Sequence, residues 1–203
     1  MDSDKKIIEK KLLFLDELEK FGNIKRKIKK SNGETESDSE HSWFLAMFVM
    51  VFKDEILETG DNLDYTKMLE MALTHDLPEI YAGDIFPFEK GFDKAAKDES
   101  EEKAIKKLYN ILPEKLQKRF FTLFDEYEEQ KLVESQIIKA IDKIQPDHLN
   151  LIVKGENWKE HNLTYSMLVD YKKKHVDKNS FTKKLYFDFI MKSAIDKGYL
   201  KKE

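Results

Sequence analysis

The sequence predicts an all-α fold built as one helical domain. Its 203 residues include only 7 glycines and 4 prolines, so few positions interrupt regular structure. Apolar residues recur mostly three and four positions apart, which is the spacing of one helix face. A hydrophobic fraction of 40% over this length is enough for one substantial core. Strands have little room, and we expect a single domain over residues 1–203.

The N-terminal forty residues are predicted to hold one amphipathic helix and one loop. The helix is expected to end near Gly22. Its apolar positions are Ile7, Ile8, Leu12, Leu15 and Leu18. The polar segment of about residues 22–40, with the runs KRKIKK and SNGETESDSE, is predicted to be a loop. Loops carry functional residues more often than their share, so this segment is of interest.

Two helices are predicted next, and the second ends at an adjacent histidine and aspartate. Residues 43–57 form a strongly apolar helix with AMFVMVF at its centre, which predicts burial in the core. Asp64 is placed to cap the following helix. That helix reaches His75 and Asp76 and is broken at Pro78. The His-Asp pair is therefore expected at a helix end.

The remaining chain is predicted to be helical between short turns. An aromatic loop, IFPFEKGF, follows the turn A-G-D at residues 82–84. Helices are predicted over about residues 93–110 and 113–127, with a proline suited to the first turn of the second. A buried helix follows over residues 133–144, with Pro146 near its end. Further on, Thr164 and Ser180 are placed to cap two final helices.

Composition excludes several classes of function. The 36 basic and 40 acidic residues nearly cancel, so no global field attracts a nucleic acid polymer. There is no cysteine, which excludes disulfides, thiolate metal sites and a cysteine nucleophile. The N-terminus lacks the apolar core of a signal peptide, and no stretch is long enough to span a bilayer. We therefore expect a soluble, cytoplasmic protein without a membrane partner.

Asp142 lies inside an apolar helical stretch, on a face that periodicity assigns to the interior. A carboxylate there is costly unless it is paired or binds a metal. A buried ion pair or a cap for a neighbouring helix would also explain it. The presence of His41, His75 and Asp76 favours a metal, although a lone histidine near an apolar face is usually only a satisfied core residue.

Together the two histidines and two aspartates would form a mixed nitrogen and oxygen site. Such a site suits one divalent ion such as Mn, Co, Fe, Zn or Mg, and it leaves positions open for water and substrate. Open positions indicate catalysis. We expect this metal-binding core to cover about residues 22–150, with C-terminal helices of about residues 163–200 packed on it.

Glu79 and Asp84 are candidates for the proton-transferring groups. Glu79 lies three residues past Asp76, and both acids face one cavity if the chain turns at Pro78 and Gly83. Helix capping and surface solvation are the alternative explanations for any acidic residue.

Arg26 is one of only two arginines in a chain with 34 lysines. Where lysine is the usual cation, an arginine indicates a position that needs two parallel hydrogen bonds, as in the binding of a phosphate. A solvated charge run is the alternative, because Lys25, Lys27, Lys29 and Lys30 surround it.

Three motifs in order carry a family resemblance: E-S-D-S-E-H-S-W, then T-H-D-L-P-E-I-Y-A-G-D, then A-I-D-K-I-Q-P. The sequence resembles HD-domain metal-dependent phosphohydrolases, and among them the 5'-deoxynucleotidases. The likeness extends over most of the chain, because I-K-R, L-P-E and N-W-K-E-H also fall where related proteins carry similar segments.

The resemblance implies an HD-type helical bundle with a divalent ion in its core. The ligands would be the residues that match the family pattern: His41, His75, Asp76 and Asp142. It further implies that Glu79 and Asp84 are the catalytic acids and that Arg26 contacts the phosphate. Lys30 stands where a second arginine is common and is the other candidate to bind the phosphate; no tryptophan lies beside Arg26.

The function expected from these observations is removal of phosphate from deoxynucleoside 5'-monophosphates. The alternatives are an HD phosphohydrolase that acts on another phosphoester or nucleotide, and a non-catalytic interaction protein that a metal stabilises. The expected partners are a small nucleotide and, as one option, a second copy of the chain in a homodimer.

Overall fold

The computed structural model describes residues 2–60 and 62–201. Most of these residues are helical, and the predicted all-α class is confirmed. The helices of the first half are α1 (Asp2–Leu18), α2 (Asp38–Val51), α3 (Lys53–Leu57), α4 (Tyr65–Thr74) and α5 (Glu79–Ala82). A 3-10 turn over Glu19–Asn23 follows α1. No helix in the described ranges is both long and apolar enough to cross a membrane.

The second half continues the helical bundle. Its helices are α6 (Lys94–Tyr109), α7 (Glu114–Glu129), α8 (Val133–Ile152), α9 (Glu156–Glu160), α10 (Tyr165–Val176), α11 (Ser180–Lys184) and α12 (Lys192–Asp196). A π-helical stretch over Leu185–Met191 joins the last two helices. The central helices α2, α4 and α8 pack on one another and carry the main apolar core. A second apolar cluster forms where α1 meets α6.

The segment predicted to be a loop contains a β-hairpin, so that prediction was wrong over part of its length. Strand β1 (Lys25–Lys29) pairs antiparallel with β2 (Thr35–Ser37). Side chains of β1 alternate between solvent and interior, and Ile28 is buried. Lysines fill the outward positions, so the sequence looks like an uninterrupted charge run. The turn closes at Gly33, whose φ of 83° favours glycine.

Helix α2 begins earlier than the sequence predicts, and it ends earlier too. Ser37 caps it by accepting from the Glu40 backbone, and the Glu40 side chain accepts from the backbone of Ser37. This capping box sets the start at Asp38. The apolar run predicted as one helix over residues 43–57 is interrupted at Phe52, which separates α2 from α3.

Two later boundaries also differ from the prediction. Helix α8 continues through Pro146 to Ile152, although an interior proline costs about 3 kcal/mol. Beyond it, Leu149 is buried, and Asp147 and Asn150 accept hydrogen bonds from Lys172 and Trp158, which offsets that cost. Near the C-terminus, Thr164 caps α10 as predicted, whereas α11 is capped by the neighbouring asparagine rather than by Ser180.

A buried ion pair fixes α10 to α8. Lys172 donates to Asp147 Oδ2 at 2.6 Å, and the indole of Trp158 donates to Asp147 Oδ1 at 3.2 Å. Lys172 and Asp147 are almost fully buried. Burial lowers the pKa of Lys172 below its usual value, although Asp147 acts against that shift. The pair joins the last third of the chain to the central helix.

Lys172→Met is expected to reduce the free energy of unfolding by about 3–5 kcal/mol, because it leaves Asp147 charged, buried and unpaired. Urea unfolding followed by circular dichroism measures the change. Lys173→Met removes an exposed lysine from the next position of α10 and is expected to have little effect. Equal losses for the two variants would mean that the buried pair contributes nothing specific.

Candidate metal centre

Four side chains converge where α2, α4 and α8 meet. His41 projects from α2, His75 and Asp76 follow the last turn of α4, and Asp142 projects from α8. His41 Nε2 lies 3.2 Å from Asp142 Oδ1 and 3.7 Å from Asp76 Oδ2. His75 Nε2 lies 3.1 Å from Asp76 Oδ2 and 3.9 Å from Asp142 Oδ1. Two ring nitrogens and two carboxylate oxygens thus surround one point.

Hydrogen bonds behind the two histidines fix which nitrogen faces this point. The Nδ1 of His75 lies 3.1 Å from the carbonyl oxygen of Ala72. A carbonyl oxygen can only accept a hydrogen bond, so Nδ1 is the donor. Gln145 donates its amide to Glu36 at 2.6 Å, so its oxygen faces His41 and accepts from Nδ1 at 2.9 Å. In each neutral ring, Nε2 therefore carries the lone pair.

This donor set fits a divalent cation. Two Nε2 lone pairs and two carboxylate oxygens are all acceptors, and acceptors this close together need a positive charge between them. The Nε2 atom of His75 is buried and has no hydrogen-bond partner. Ligand atoms of His41, His75 and Asp142 lie within 4.8 Å of one another. Imidazole with carboxylate suits Zn, Mn, Fe or Co, and Mg in oxygen-rich sites.

Asp142 is held in its charged form. Burial alone would raise its pKa, but Lys143 Nζ at 2.9 Å and the nearby histidines outweigh burial and lower the pKa well below its usual value. The hydroxyl of Tyr127 also donates to Asp142 Oδ2 at 3.1 Å. An ionised carboxylate with one oxygen facing the histidines is suited to bind a cation.

A second group of acids lies beside the first. Ligand atoms of Asp38, Asp76 and Glu79 lie within 4.8 Å of one another. Burial, together with the charges of Asp76 and Asp38, raises the pKa of Glu79 well above its usual value. Burial and Asp76 also raise the pKa of Asp38, to about 7. Burial raises the pKa of Asp84 as well. Burial of several carboxylates beside one another thus raises the pKa of all three acids.

The guanidinium of Arg26 lies among these acids. Its Nη1 donates to Asp76 Oδ2 at 3.1 Å and lies 3.5 Å from Asp38 and 3.9 Å from Asp84. Its Nε lies 3.4 Å from Glu36. Burial opposes ionisation, but the carboxylates raise the pKa of Arg26 further above its usual value. Arg26 thus offsets the negative charge beside the metal-site candidates.

The two groups open on one cavity of about 620 Å³. Its lining includes Arg26, Asp76, Glu79 and Asp84. Lys139, Lys143, Pro146 and Tyr171 also line it, and the aromatic loop contributes Phe86 and Phe88. A cavity of this size holds a ligand such as a nucleotide. The structure therefore brings Arg26, Glu79, Asp84 and three of the four metal candidates to one cavity, with His41 buried behind it.

Lys30 is not brought to this cavity. Its ammonium pairs with Glu40, and it lies 3.7 Å from Glu34, at the turn of the hairpin. Of Trp43, Phe86 and Trp158, which could stack on a nucleotide base, Phe86 lines the cavity, and its ring centre lies 4.7 Å from that of His161. Trp158 is buried in the core, and Trp43 is exposed on α2.

The structure adds residues that sequence reasoning did not select. Lys97 reaches in from α6, and its Nζ lies 3.3 Å from Glu79 Oε1. Asp38 and Glu36 flank the guanidinium of Arg26. Gln145 could have been predicted from the sequence, since it lies three residues after Asp142 on the same buried face. Lys97 could not, because only tertiary packing brings α6 to the site.

Comparison with known proteins identifies the class. A family profile described as HD domain matches residues 18–184, and the chain belongs to this family. A structure described as a predicted metal-dependent phosphohydrolase from Magnetospirillum magnetotacticum MS-1 superposes with a TM-score of 0.85. It is 26% identical, and the match covers 98% of each chain. The chain is thus an HD-domain phosphohydrolase with a candidate metal site of histidine and aspartate.

Particular relatives point to a narrower group. The human protein named 5'-deoxynucleotidase HDDC2 is 36% identical over 108 residues, which are 53% of this chain and 50% of that protein. The Dictyostelium discoideum protein of the same name is 38% identical over 112 residues, with 54% and 58% covered. The chain spans about half the length of the curated relatives it matches. An HD-domain phosphohydrolase from Listeria innocua, 17% identical with a TM-score of 0.63, shares the fold over 92% of this chain and 90% of its own.

Proposed function

We propose that this protein is a metal-dependent phosphomonoesterase that removes phosphate from deoxynucleoside 5'-monophosphates. The observation that carries the proposal is the set of converging acceptors on His41, His75, Asp76 and Asp142, beside buried acids and a nucleotide-sized cavity. The curated relatives named as 5'-deoxynucleotidases support the choice of substrate.

In this proposal the four converging side chains would hold one divalent cation. When bound, it would supply Lewis-acid polarisation of the phosphate and would make water a better nucleophile near neutral pH. The residues behind the site keep it in place: Gln145 and the Ala72 carbonyl orient the two rings, and Tyr127 holds Asp142.

Glu79 and Asp84 transfer the protons of the reaction. Water attacks phosphorus and releases a proton, and the bond between phosphorus and the 5' oxygen breaks as that oxygen gains one. Glu79, whose pKa is raised by burial and by the neighbouring carboxylates, donates to the leaving oxygen. Asp84 accepts from water. The products are inorganic phosphate and a deoxynucleoside.

Positive side chains around the cavity neutralise the phosphate. Arg26 stands on the wall beside Asp76, and Lys97 stands beside Glu79. Lys143 lies beside Asp142 and also lines the cavity. A doubly charged phosphate entering between these cations gains charge-assisted hydrogen bonds. Lys30, which pairs with Glu40, would act at a distance through its charge alone.

A phosphate-release panel tests the proposal. Protein stripped of metal and reloaded with Mn, Co, Zn or Mg would be assayed on deoxynucleoside and ribonucleoside 5'-monophosphates and on a phosphodiester, with metal content measured in each sample. We expect the deoxynucleoside monophosphates to be the best substrates. Faster hydrolysis of the diester would assign a different phosphohydrolase activity. Loaded protein without phosphate release from any substrate would favour a metal that only stabilises the fold.

Arg26→Lys is expected to lower kcat/KM by about 10-fold or more, although the charge is kept, because an ammonium cannot reproduce the planar fork of contacts. The loss should be similar for every base, since the contact is to phosphate. Arg119→Lys is the matched control, because Arg119 is the other arginine and pairs with Glu70 at the surface. An unchanged efficiency in Arg26→Lys would remove Arg26 from the site.

A further inference from the structure

The aromatic loop, residues 85–92, carries two phenylalanines whose surroundings differ. Phe86 and Phe88 are both half-buried, and both line the cavity. Phe88 packs on the main apolar core and on Tyr171, whose ring centre lies 5.1 Å from its own. Within the described ranges, Phe86 packs on neither apolar cluster; its ring centre lies 5.5 Å from that of Phe88 and 4.7 Å from that of His161. Core packing therefore explains Phe88 but not Phe86.

The part of the cavity that this loop lines is apolar, in contrast to the rest. The lining side chains from the loop are Ile85, Phe86, Pro87, Phe88 and Phe92, and none of them carries a charge. Arg26, Glu79 and Asp84 make another part of the same cavity highly charged. A nucleotide is divided in the same way, because its phosphate is charged and its base is a flat ring that stacks on aromatic side chains. The loop is therefore suited to the base.

His161, which follows α9, contacts both this loop and the strand that carries Arg26. Its ring packs on Phe86, and its Nε2 lies 3.0 Å from the carbonyl oxygen of Lys27. A carbonyl oxygen can only accept a hydrogen bond, so Nε2 is the donor. Lys27 is the residue after Arg26 in β1. One imidazole thus joins the apolar part of the cavity to the strand beside the charged part.

Asn157 attaches the same strand to α9 at a second point. It is buried, and it lies four residues before His161, which is about one helix turn. Its Oδ1 accepts from the backbone nitrogen of Lys29 at 2.8 Å, and its Nδ2 donates to the carbonyl oxygen of Lys29 at 3.2 Å. Lys27 and Lys29 are alternate residues of β1. The first and last residues of the N-W-K-E-H segment therefore fix the strand that presents Arg26.

We propose that the base of the substrate stacks on Phe86 and that His161 is a positioning residue for both ends of the substrate. His161 supports the ring of Phe86, and through the carbonyl oxygen of Lys27 it holds the strand that directs Arg26 to the phosphate. The inference rests on the nucleotidase activity proposed above, because it gives the base of that substrate its place. Stacking tolerates every base, and the larger face of a purine should bind more tightly than a pyrimidine.

Binding of deoxyadenosine, which has no phosphate, tests the stacking surface without turnover. Phe86→Ala is expected to raise the Kd measured by calorimetric titration by at least about 5-fold, the lower end for loss of one stacking ring. Phe189→Ala is the matched control, because Phe189 is exposed on the π-helical stretch and does not line the cavity. An unchanged Kd in Phe86→Ala, or no binding by wild type at millimolar concentrations, would overturn the proposal. Binding that depends on Phe86 in metal-loaded protein without phosphate release would keep the base site and reject only the nucleotidase activity.

Two substitutions of His161 separate its two contacts. His161→Ala removes both, whereas His161→Gln keeps a side-chain N–H for the carbonyl oxygen of Lys27 but removes the ring behind Phe86. With inorganic phosphate as the ligand of metal-loaded protein, the Kd should rise about 5-fold in His161→Ala and stay within about 2-fold of wild type in His161→Gln. With deoxyadenosine, both variants should bind more weakly than wild type. Unfolding temperature serves as the fold control. Wild-type affinity of folded His161→Ala for both ligands, or phosphate binding that His161→Gln does not restore, would overturn the positioning role.

Discussion

Asp142→Ala is expected to abolish tight metal binding and phosphate release together. Asp142 is the buried carboxylate that faces both histidines, with Oδ1 3.2 Å from His41 Nε2. Loss of a residue that only supports a metal ligand already costs about 10–100-fold in affinity, so loss of a ligand should cost more. The metal content after gel filtration and kcat on a deoxynucleoside 5'-monophosphate are the two measurements.

The variant also leaves Lys143 and the hydroxyl of Tyr127 without their partner, so folding must be checked separately. Circular dichroism and the unfolding temperature provide that check. Asp170→Ala removes an exposed carboxylate from α10 and should retain both metal and turnover. If folded Asp142→Ala kept one ion per chain and normal turnover, Asp142 would not be a ligand.

Glu79→Gln is expected to keep the metal and lose about 10²- to 10⁴-fold in kcat, which is the usual contribution of a positioned acid or base. Glutamine preserves the shape of the side chain but has no proton to donate to the leaving oxygen. Burial and the neighbouring carboxylates raise the pKa of Glu79, which favours the proton-carrying form of the native side chain. Asp84→Asn should likewise retain the metal and lose rate.

Glu101→Gln is the matched control for this prediction. Glu101 also lines the cavity and contacts Lys97, the lysine that lies 3.3 Å from Glu79. It should therefore report any general effect of removing a carboxylate beside Lys97, and we expect its kcat to change only a few-fold. If Glu79→Gln instead lost the ion, Glu79 would be a ligand or a ligand support, and the division of roles would be wrong.

The sequence reveals the metal candidates because each stands out from its surroundings. Asp142 interrupts an apolar face of α8, and His75 with Asp76 stands where a proline ends α4. The fold then brings His41 to them through the packing of α2 on both helices. The order of polar and apolar residues nearby in the sequence identifies such residues, because a polar group in an apolar stretch needs a partner.

The charged residues around the site were harder to predict from the sequence. Asp38 lies in a polar run where an acid ordinarily faces solvent, yet the capping box of α2 directs it into the interior. The hairpin was not predicted because lysines at its outward positions obscure the alternation of exposed and buried residues. That hairpin places Arg26 in a group of four carboxylates. Contacts between residues distant along the chain leave no periodic signal.

Anomalous X-ray diffraction from crystals grown with Mn²⁺ or Co²⁺ would locate the metal directly. We expect one strong peak per chain between His41 Nε2, His75 Nε2 and the carboxylates of Asp76 and Asp142. A peak found only beside Asp38 and Glu79, or none at the two histidines in crystals of metal-loaded protein, would contradict it.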